Sequence, residues 1–119
     1  MQAHNLVNAI EGLAEVEFKQ LASFNRGSMG VYWATGGVSP WERHPEDDEL
    51  LYVIEGCVVI EVLTEDDRVE MLVSEGSAFV VPRNHWHRHK VDGVVKEMYV
   101  TPGPSDTSFA DDPRYDSQG

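Results

Sequence analysis

The 119-residue chain has a single cysteine, Cys57, and therefore cannot form a disulfide bond within itself. This absence excludes the small secreted domains whose folds depend on several disulfide bonds. Because Cys57 adjoins an apolar run at residues 58–60, we expect a buried and inert thiol, with redox chemistry or a role in a pocket as the alternative.

Basic residues are also scarce, since 9 Lys and Arg face 21 Asp and Glu and give a formal net charge of -12 at pH 7. Nucleic acids and phospholipid surfaces are negatively charged, so this balance argues against nucleic acid and membrane as partners. No apolar run approaches the roughly 20 residues that cross a bilayer. The amino terminus lacks the basic stretch followed by an apolar one that marks a signal peptide. We therefore expect a soluble, cytoplasmic protein.

Two common catalytic signatures are missing as well. The chain contains no Gly-x-Ser-x-Gly nucleophile motif and no glycine-rich loop of the kind that cradles phosphates. Covalent hydrolysis and nucleotide chemistry are therefore poor candidates for its function.

The chain does contain short segments rich in Val, Ile, Tyr and Phe, which end in turn residues about every ten positions. This spacing predicts an antiparallel all-β sandwich or barrel, with the jelly roll among the options. The predicted strands cover residues 16–24, 31–35, 50–54, 58–63, 69–73, 78–81 and 94–100. A short helix is expected before them, because Asn5 can cap its start and Gly12 can end it.

Three segments follow from this pattern. Residues 1–25 form a helix and strand that pack on the barrel, residues 26–101 form the barrel, and residues 102–119 form an acidic tail that contains prolines. Only Phe109 and Tyr115 offer the tail sizeable apolar anchors. We expect it to be an extended arm or a disordered segment.

Histidines and carboxylates are concentrated in two places. His85, His87 and His89 stand at alternate positions, so they would project from one face of a strand. By the same rule Glu42 and His44 project together.

Glu49 opens the next strand and is able to fold back toward Glu42 and His44. Two imidazoles with one or two carboxylates from separate strands can hold an octahedral divalent ion with open positions. The alternative is an acidic surface loop at residues 42–49 that pairs with a basic loop at residues 83–90.

Residues 36–87 resemble the two motifs of the cupin family, in the family's order. The first motif is Gly, five residues, His-x-His, three or four residues, Glu, six residues and Gly. The second is Gly, five residues, Pro-x-Gly, two residues, His, three residues and Asn. The matching residues are Gly36, Glu42-Arg43-His44, Glu49 and Gly56, followed by Gly76, Pro82-Arg83-Asn84 and His87. The resemblance implies a single-domain β-barrel of the jelly-roll type.

Carried over residue by residue, the resemblance implies that His44, Glu49 and His87 are metal ligands. Glu42 replaces the first ligand histidine, Asn84 stands where Gly is usual, and Val91 stands where the final Asn is expected. With Glu42 as a fourth ligand, the set of two imidazoles and two carboxylates is harder than the family's usual site. It favours Mn(II) and Fe(II), and its carboxylates also admit Ni(II) or Zn(II).

Glu42 is also the candidate catalytic residue. If it does not bind the ion, an apolar pocket would raise its pKa and fit it to act as a general acid or base.

Four further residues are expected to bind substrate. Leu51 and Val53 share a face with Glu49 and would line the pocket. His89 would face the same cavity, the alternative being a rim residue that hydrogen-bonds to Asp or Glu. Arg83 lies near the barrel mouth and would hold an anionic substrate, unless it is an ordinary surface arginine.

The resulting interpretation is a metal-dependent enzyme of the oxygenase, isomerase or lyase type that acts on a small organic molecule inside the barrel. The ion would act as a Lewis acid and template. One alternative is a non-catalytic module that binds a small ligand, with or without metal. Another is a structural domain that serves dimerisation. The family resemblance also implies a homodimer.

Overall fold

The computed structural model describes residues 1–115, which form a short helix and eight β-strands. The elements are α1 (Leu6–Ile10), β1 (Lys19–Phe24), β2 (Gly27–Val38), β3 (Trp41–Arg43), β4 (Glu49–Leu63), β5 (Arg68–Ser74), β6 (Ala78–Val81), β7 (His87–Pro102) and β8 (Asp106–Ser108). A 3₁₀ turn follows at Pro113–Tyr115. Among these residues, no helix has the length and apolar character needed to cross a bilayer.

All strand pairings are antiparallel. One path runs in the order β1-β2-β7-β3-β8, and the long strand β4 pairs with β5, β6 and β7. The pairings of the described residues do not close the sheet into a ring, but they are compatible with a jelly roll. The predicted all-β antiparallel fold class is confirmed.

The amino-terminal segment differs in part from its prediction. Helix α1 forms as expected, with the backbone N–H of Asn8 donating to the side chain of Asn5. Strand β1, however, begins at Lys19 rather than at residue 16, because Val16 has a φ of 60°. A register shift within β1 then interrupts the expected alternation, and Phe24 is exposed rather than half-buried.

Strand β4 is one continuous strand where the sequence pattern predicted two. Gly56 lies at its middle with a φ of 84°, and a Cβ there would come within 2.1 Å of the Val94 carbonyl oxygen. The register with β7 shifts on both sides of Gly56. As a result the residues of β4 that join the main apolar cluster are odd-numbered before it, as at Val53, and even-numbered after it, as at Ile60. The odd-numbered Glu61 and Leu63 are buried on the other side of the sheet. Glu49 and Glu61, both at odd positions, therefore face opposite sides of the sheet.

The same shift overturns the expectation for Cys57. The side chain was predicted to be buried beside an apolar run, but Cys57 is a free and exposed cysteine. It comes directly after Gly56 and pairs with Ser74 on β5, so it lies on the solvent side of the strand.

Two apolar clusters hold the sheet together. The inner cluster draws its side chains from β2, β4, β5, β6 and β7 and consists of Tyr32, Leu51, Val53, Val58, Ile60, Val62, Val73, Val81, Val91, Val95 and Tyr99. The outer cluster consists of Trp41, Leu63 and Trp86. Trp41 and Trp86 thus pack apart from the inner cluster.

The described part of the predicted tail, residues 102–115, contains strand β8 and the 3₁₀ turn, and we call it the carboxyl-terminal segment. Strand β8 pairs with β3, and Arg114 donates to the carbonyl oxygens of Thr64 and Asp67, both at 2.9 Å. The expected apolar anchors play no part, since Phe109 and Tyr115 are 87% and 76% exposed. Polar contacts hold this segment, and the predicted tail residues 116–119 lie outside the described residues.

Candidate metal centre

Four side chains from three strands and a loop meet at one point, and we call them the ligand set. They are Glu42 on β3, His44 just after it, Glu49 at the start of β4 and His87 at the start of β7. One ligand atom from each lies within 4.8 Å of the corresponding atoms of the others. The pairing of β3 with β7 brings Glu42 directly opposite His87, because these two residues are register partners.

Three of the four side chains in the ligand set are buried, and the fourth is partly exposed to solvent. The side chains of His44, Glu49 and His87 are 4%, 6% and 1% exposed, whereas that of Glu42 is 43% exposed. Any molecule that reaches this group from solvent therefore arrives on the side of Glu42.

The nitrogen and oxygen atoms already lie close together. His87 Nε2 lies 3.0 Å from Glu49 Oε1, and His44 Nε2 lies 3.1 Å from Glu42 Oε1 and 3.5 Å from Glu49 Oε2. Neither contact of His44 has hydrogen-bond geometry, so both of its buried ring nitrogens lack a hydrogen-bond partner among the described residues. Buried polar atoms without partners are rare in folded proteins and indicate a missing ligand or ion.

Backbone contacts orient the two imidazoles. The N–H of Asn84 donates to the carbonyl oxygen of His44 at 2.6 Å, and Asn84 has a φ of 60°, a conformation that Asn tolerates well. His87 Nδ1 lies 3.3 Å from the carbonyl oxygen of His85, to which it donates when protonated. His87 Nε2 faces Glu49 Oε1 at 3.0 Å and donates a hydrogen bond to it, and an ion bound at this point would take the place of that hydrogen.

The electrostatics of the ligand set hold a positive charge at His44. Burial alone would lower the pKa of His44, but its contacts with Glu42 and Glu49 outweigh burial and raise the pKa to about 10. Burial alone would raise the pKa of Glu49, but His44 and His87 outweigh it and hold that pKa well below its usual range. The carboxylates thus attract a cation at neutral pH.

The donor set fits a divalent ion. Adjacent ligands around an octahedral ion with bonds of about 2.1 Å lie about 3.0 Å apart. The observed nitrogen–oxygen separations of 3.0 to 3.8 Å are close to this spacing. Two imidazole nitrogens with two carboxylate oxygens suit Mn(II), Fe(II) and other first-row ions.

Residues 31–101, more than half of the chain, match the Cupin domain family. The chain belongs to the cupin family. Among curated proteins, germin-like protein subfamily T member 2 of Arabidopsis thaliana is 34% identical over 85 residues, which are 71% of this cupin and 39% of that protein. The chain spans between 30% and 39% of the length of the curated relatives it matches.

Solved structures share the fold. A protein from Neisseria meningitidis superposes with a TM-score of 0.72 and 17% identity, over 86% of this cupin and 100% of that chain. A hydroquinone 1,2-dioxygenase in complex with Cd²⁺ and 4-hydroxybenzonitrile superposes with a TM-score of 0.67 and 17% identity, over 84% of this cupin and 72% of that chain. At these identities the likeness shows the fold alone.

The other residues singled out from the sequence lie in different surroundings in this cupin. Leu51 and Val53 are buried in the inner cluster on the same run of β4 as Glu49. Arg83 is exposed, and its backbone N–H donates to Asp48 Oδ1 at 2.8 Å. The expectation that His85 shares a strand face with His87 is wrong, because His85 precedes β7 and its Nδ1 lies 2.9 Å from the Arg83 carbonyl oxygen.

The partly buried His89 lies against two buried polar residues, Glu97 and Tyr32. Its Nε2 is 3.5 Å from Glu97 Oε1, and the other oxygen of Glu97 accepts a hydrogen bond from the hydroxyl of Tyr32. Tyr32 and Glu97 are register partners on β2 and β7. The burial of Glu97 was not predicted, but the signal was present, because Glu97 alternates with the apolar residues Val95 and Tyr99 and must share their buried face.

The charge of Glu97 affects both neighbours. Burial raises the pKa of Tyr32, and the adjacent Glu97 carboxylate raises it further, to well above its usual value. Burial alone would lower the pKa of His89, but Glu97 outweighs it and raises that pKa. The imidazole of His89 also lies 6.4 Å from that of His87, centre to centre, so His89 adjoins the ligand set.

Proposed function

We propose that this cupin binds one divalent metal ion through His44, Glu49, His87 and Glu42, and that it acts with that ion on a small organic molecule. The observation that carries the proposal is the ligand set itself, with four donor atoms within 4.8 Å of one another and three of the four side chains buried. Mn and Fe are the preferred ions, with Ni or Zn admitted. The reaction type is that of an oxygenase, isomerase or lyase.

The bound ion would supply Lewis acidity and a template for an oxygen atom of the substrate. His44, Glu49 and His87 hold the buried side of the ion, and the half-exposed Glu42 faces the side from which substrate arrives. Glu42 is the proposed catalytic residue, because its carboxylate can bind the ion or exchange a proton with substrate at that open side.

The surroundings of the ligand set support a ligand with both apolar and polar parts. Leu51 and Val53 supply apolar surface, and His89 supplies a polar ring next to His87. Arg83, on the exposed loop that precedes β7, is the proposed contact for an anionic group. The small molecule is the proposed partner. A cytoplasmic location stays a prediction of the sequence, and a homodimer stays an expectation from the family resemblance.

The second candidate is a non-catalytic module that binds a small ligand without needing metal. One observation favours it: His44 Nε2 lies between Glu42 Oε1 at 3.1 Å and Glu49 Oε2 at 3.5 Å, and these carboxylates favour a proton on His44 by raising its pKa. That proton already offsets part of the negative charge of Glu42 and Glu49. In this case the ligand set is a stable ion-pair cluster rather than a metal site.

A calorimetric titration of metal-free protein with Mn(II) separates the two candidates. We expect one ion per chain, with the affinity reduced about 100-fold or more in His44→Ala, because residues that only orient ligands already cost 10- to 100-fold. The matched control is Glu61→Gln, because Glu61 is a buried glutamate on β4, the strand of Glu49, but lies outside the ligand set. Wild-type protein that takes up no Mn(II) or Fe(II) would favour the metal-free module.

Water-proton relaxation of the Mn(II)-loaded protein tests whether the ion is open to substrate. Catalytic sites keep an open coordination position, whereas structural sites are closed by protein ligands. We expect enhanced relaxation from water that exchanges at the ion on the side of Glu42. Relaxation no greater than that of a fully enclosed ion would contradict an enzymatic role.

A further inference from the structure

The strand that carries Glu42 is held mainly by the carboxyl-terminal segment. Strand β3 pairs with β7 at a single position, where Glu42 is opposite His87. Its pairing with β8 instead covers the whole strand: Trp41, Glu42 and Arg43 lie opposite Ser108, Thr107 and Asp106. The place of Glu42 in the ligand set therefore depends on where β8 lies.

Side chains on either side of Glu42 are fastened to the same segment. Arg43 donates two hydrogen bonds to Asp106 Oδ2, from Nε at 3.1 Å and from Nη2 at 2.9 Å. The indole N–H of the buried Trp41 donates to the carbonyl oxygen of Asp111 at 3.2 Å. Both neighbours of Glu42 are thus bonded to residues 106–111.

Arg114 fastens the far end of this segment. Its Nη1 donates to the carbonyl oxygens of Thr64 and Asp67, in the turn between β4 and β5, each at 2.9 Å. Its Nε and Nη2 donate to the carboxylate of Asp112 at 3.0 and 2.7 Å. The segment is therefore attached at three places, which are β8, Asp111 through Trp41, and Arg114.

The other three ligands have supports of their own. Glu49 and His87 belong to β4 and β7, which pair with each other along most of their length. The carbonyl oxygen of His44 accepts a hydrogen bond from Asn84, on the loop that precedes β7. Loss of the carboxyl-terminal contacts would therefore affect Glu42 before it affects the rest of the ligand set.

We propose that residues 106–115 are a positioning element of the metal centre, which holds Glu42 among the ligands and so sets the affinity for the ion. Asp106 and Arg114 are positioning residues, since they act through β3 and do not contact the ligand atoms. This inference rests on the proposed function, because it requires that the protein binds an ion. Residues that hydrogen-bond directly to metal ligands contribute about 10- to 100-fold to metal affinity. Asp106 and Arg114 act one step further away, so we expect an effect at the lower end of this range.

The test is the dissociation constant for Mn(II) of the double variant Asp106→Ala/Arg114→Ala. We expect Mn(II) to bind about 10-fold more weakly than to wild type. The matched control is Glu55→Ala/Lys96→Ala, which removes an ion pair of 3.2 Å on the sheet, away from β3 and β8. The control should bind Mn(II) as wild type does.

The same substitutions in a Glu42→Ala background show whether the segment acts through Glu42. In that background there is no carboxylate at residue 42 for the segment to hold. The substitutions Asp106→Ala and Arg114→Ala should therefore not lower the Mn(II) affinity any further. An equal loss in both backgrounds would overturn the inference, because it would mean that the tail stabilises the whole site without a specific effect on Glu42.

A milder variant covers the case in which the double variant does not fold. Asp106→Asn removes only a partly exposed ion pair, and we expect about a threefold loss of Mn(II) affinity that disappears in the Glu42→Ala background. A folded variant that binds Mn(II) as tightly as wild type overturns the inference and leaves the proposed function intact. Wild-type protein that binds no Mn(II) overturns both.

Discussion

Two glutamates on strand β4 are buried to nearly the same degree but have partners of different chemistry. Glu49 is 5% exposed and lies among the imidazoles of the ligand set, whereas Glu61 is 1% exposed and lies between the guanidinium groups of Arg88 and Arg68. An arginine stays charged and cannot bind a metal ion, but an imidazole can give up its proton and bind a metal ion in its place. Glu61 is therefore part of a permanent ion pair, and Glu49 is part of a group whose cation can be exchanged.

The surroundings of the two glutamates agree with this difference. The guanidinium of Arg88 donates to Glu61 and also lies 4.3 Å above the ring of Trp41, so the pair is packed into the outer cluster. Glu49 instead shares His44 with the half-exposed Glu42, which links it to solvent. Burial of a carboxylate alone does not indicate a functional site; the kind of cation beside it does.

The largest effect on stability should follow from breaking the permanent pair. Arg88→Met leaves Glu61 buried without its closest partner, and we expect a loss of about 3 kcal/mol in the free energy of unfolding, measured with urea. The Mn(II) affinity should not change, because Arg88 does not contact the ligand set. Adding Glu61→Met should recover part of the loss, since it removes the unpaired charge.

The matched control for this variant is Lys96→Met, which removes an exposed lysine from the same strand, β7, and should cost less than about 0.5 kcal/mol. If Arg88→Met were as mild as Lys96→Met, the pair around Glu61 would not be a structural element. If Arg88→Met abolished Mn(II) binding in a folded protein, the two regions would not be independent.

A change of pH should have a smaller effect on the stability of the metal-free protein. Glu42 is half-exposed, so water screens its attraction to His44. The pKa of His44 is about 10 in the folded state and near its ordinary 6.5 when unfolded. Its stabilising contribution is therefore complete below pH 6.5 and is lost as the pH rises through about 10.

Urea unfolding of wild type and His44→Ala at pH 6, 8 and 10, with a chelator present, measures this contribution. Wild type should lose stability between pH 6 and 10, and His44→Ala should lose less. Equal pH dependence in the two proteins would contradict the assignment of a protonated His44 between the carboxylates. At the acid end, the lowered pKa of Glu49 predicts a separate loss of stability below its ordinary value of 4.5.

The sequence predicted the ligand set because strand alternation and motif spacing act over short distances. Glu42 and His44 are two residues apart, and the motif spacing of the family resemblance adds Glu49 and His87 to them. Local composition does not show which distant strands pair. The prediction that these side chains meet on one side of the sheet therefore depended on the family resemblance.

Two features of the fold could not be read from the sequence pattern. Gly56 looked like the end of a strand, yet its left-handed backbone lets one strand continue while its buried side changes. This change exposes Cys57 and turns Glu61 away from the side of Glu49. Glycine marks turns and bulges alike, so composition alone does not distinguish them.

The carboxyl-terminal segment shows a second limit. Its anchors were sought among apolar side chains, and Phe109 and Tyr115 proved exposed. It is held instead by Arg114, Asp106 and backbone pairing, whose partners are far away along the chain. The burial of Glu97 was not predicted for a related reason. A charged residue interrupts the apolar pattern of the strand, although Glu97 shares a face with Val95 and Tyr99.

The most direct measurement is an anomalous-scattering map of crystals soaked in Mn(II). The account predicts one peak per chain, about 2.0 to 2.3 Å from the donor atoms of Glu42, His44, Glu49 and His87. The same map would show whether residues 106–115 lie against β3 when the ion is bound. No peak within bonding distance of His44 and His87, or a peak only among exposed carboxylates elsewhere, would contradict the account.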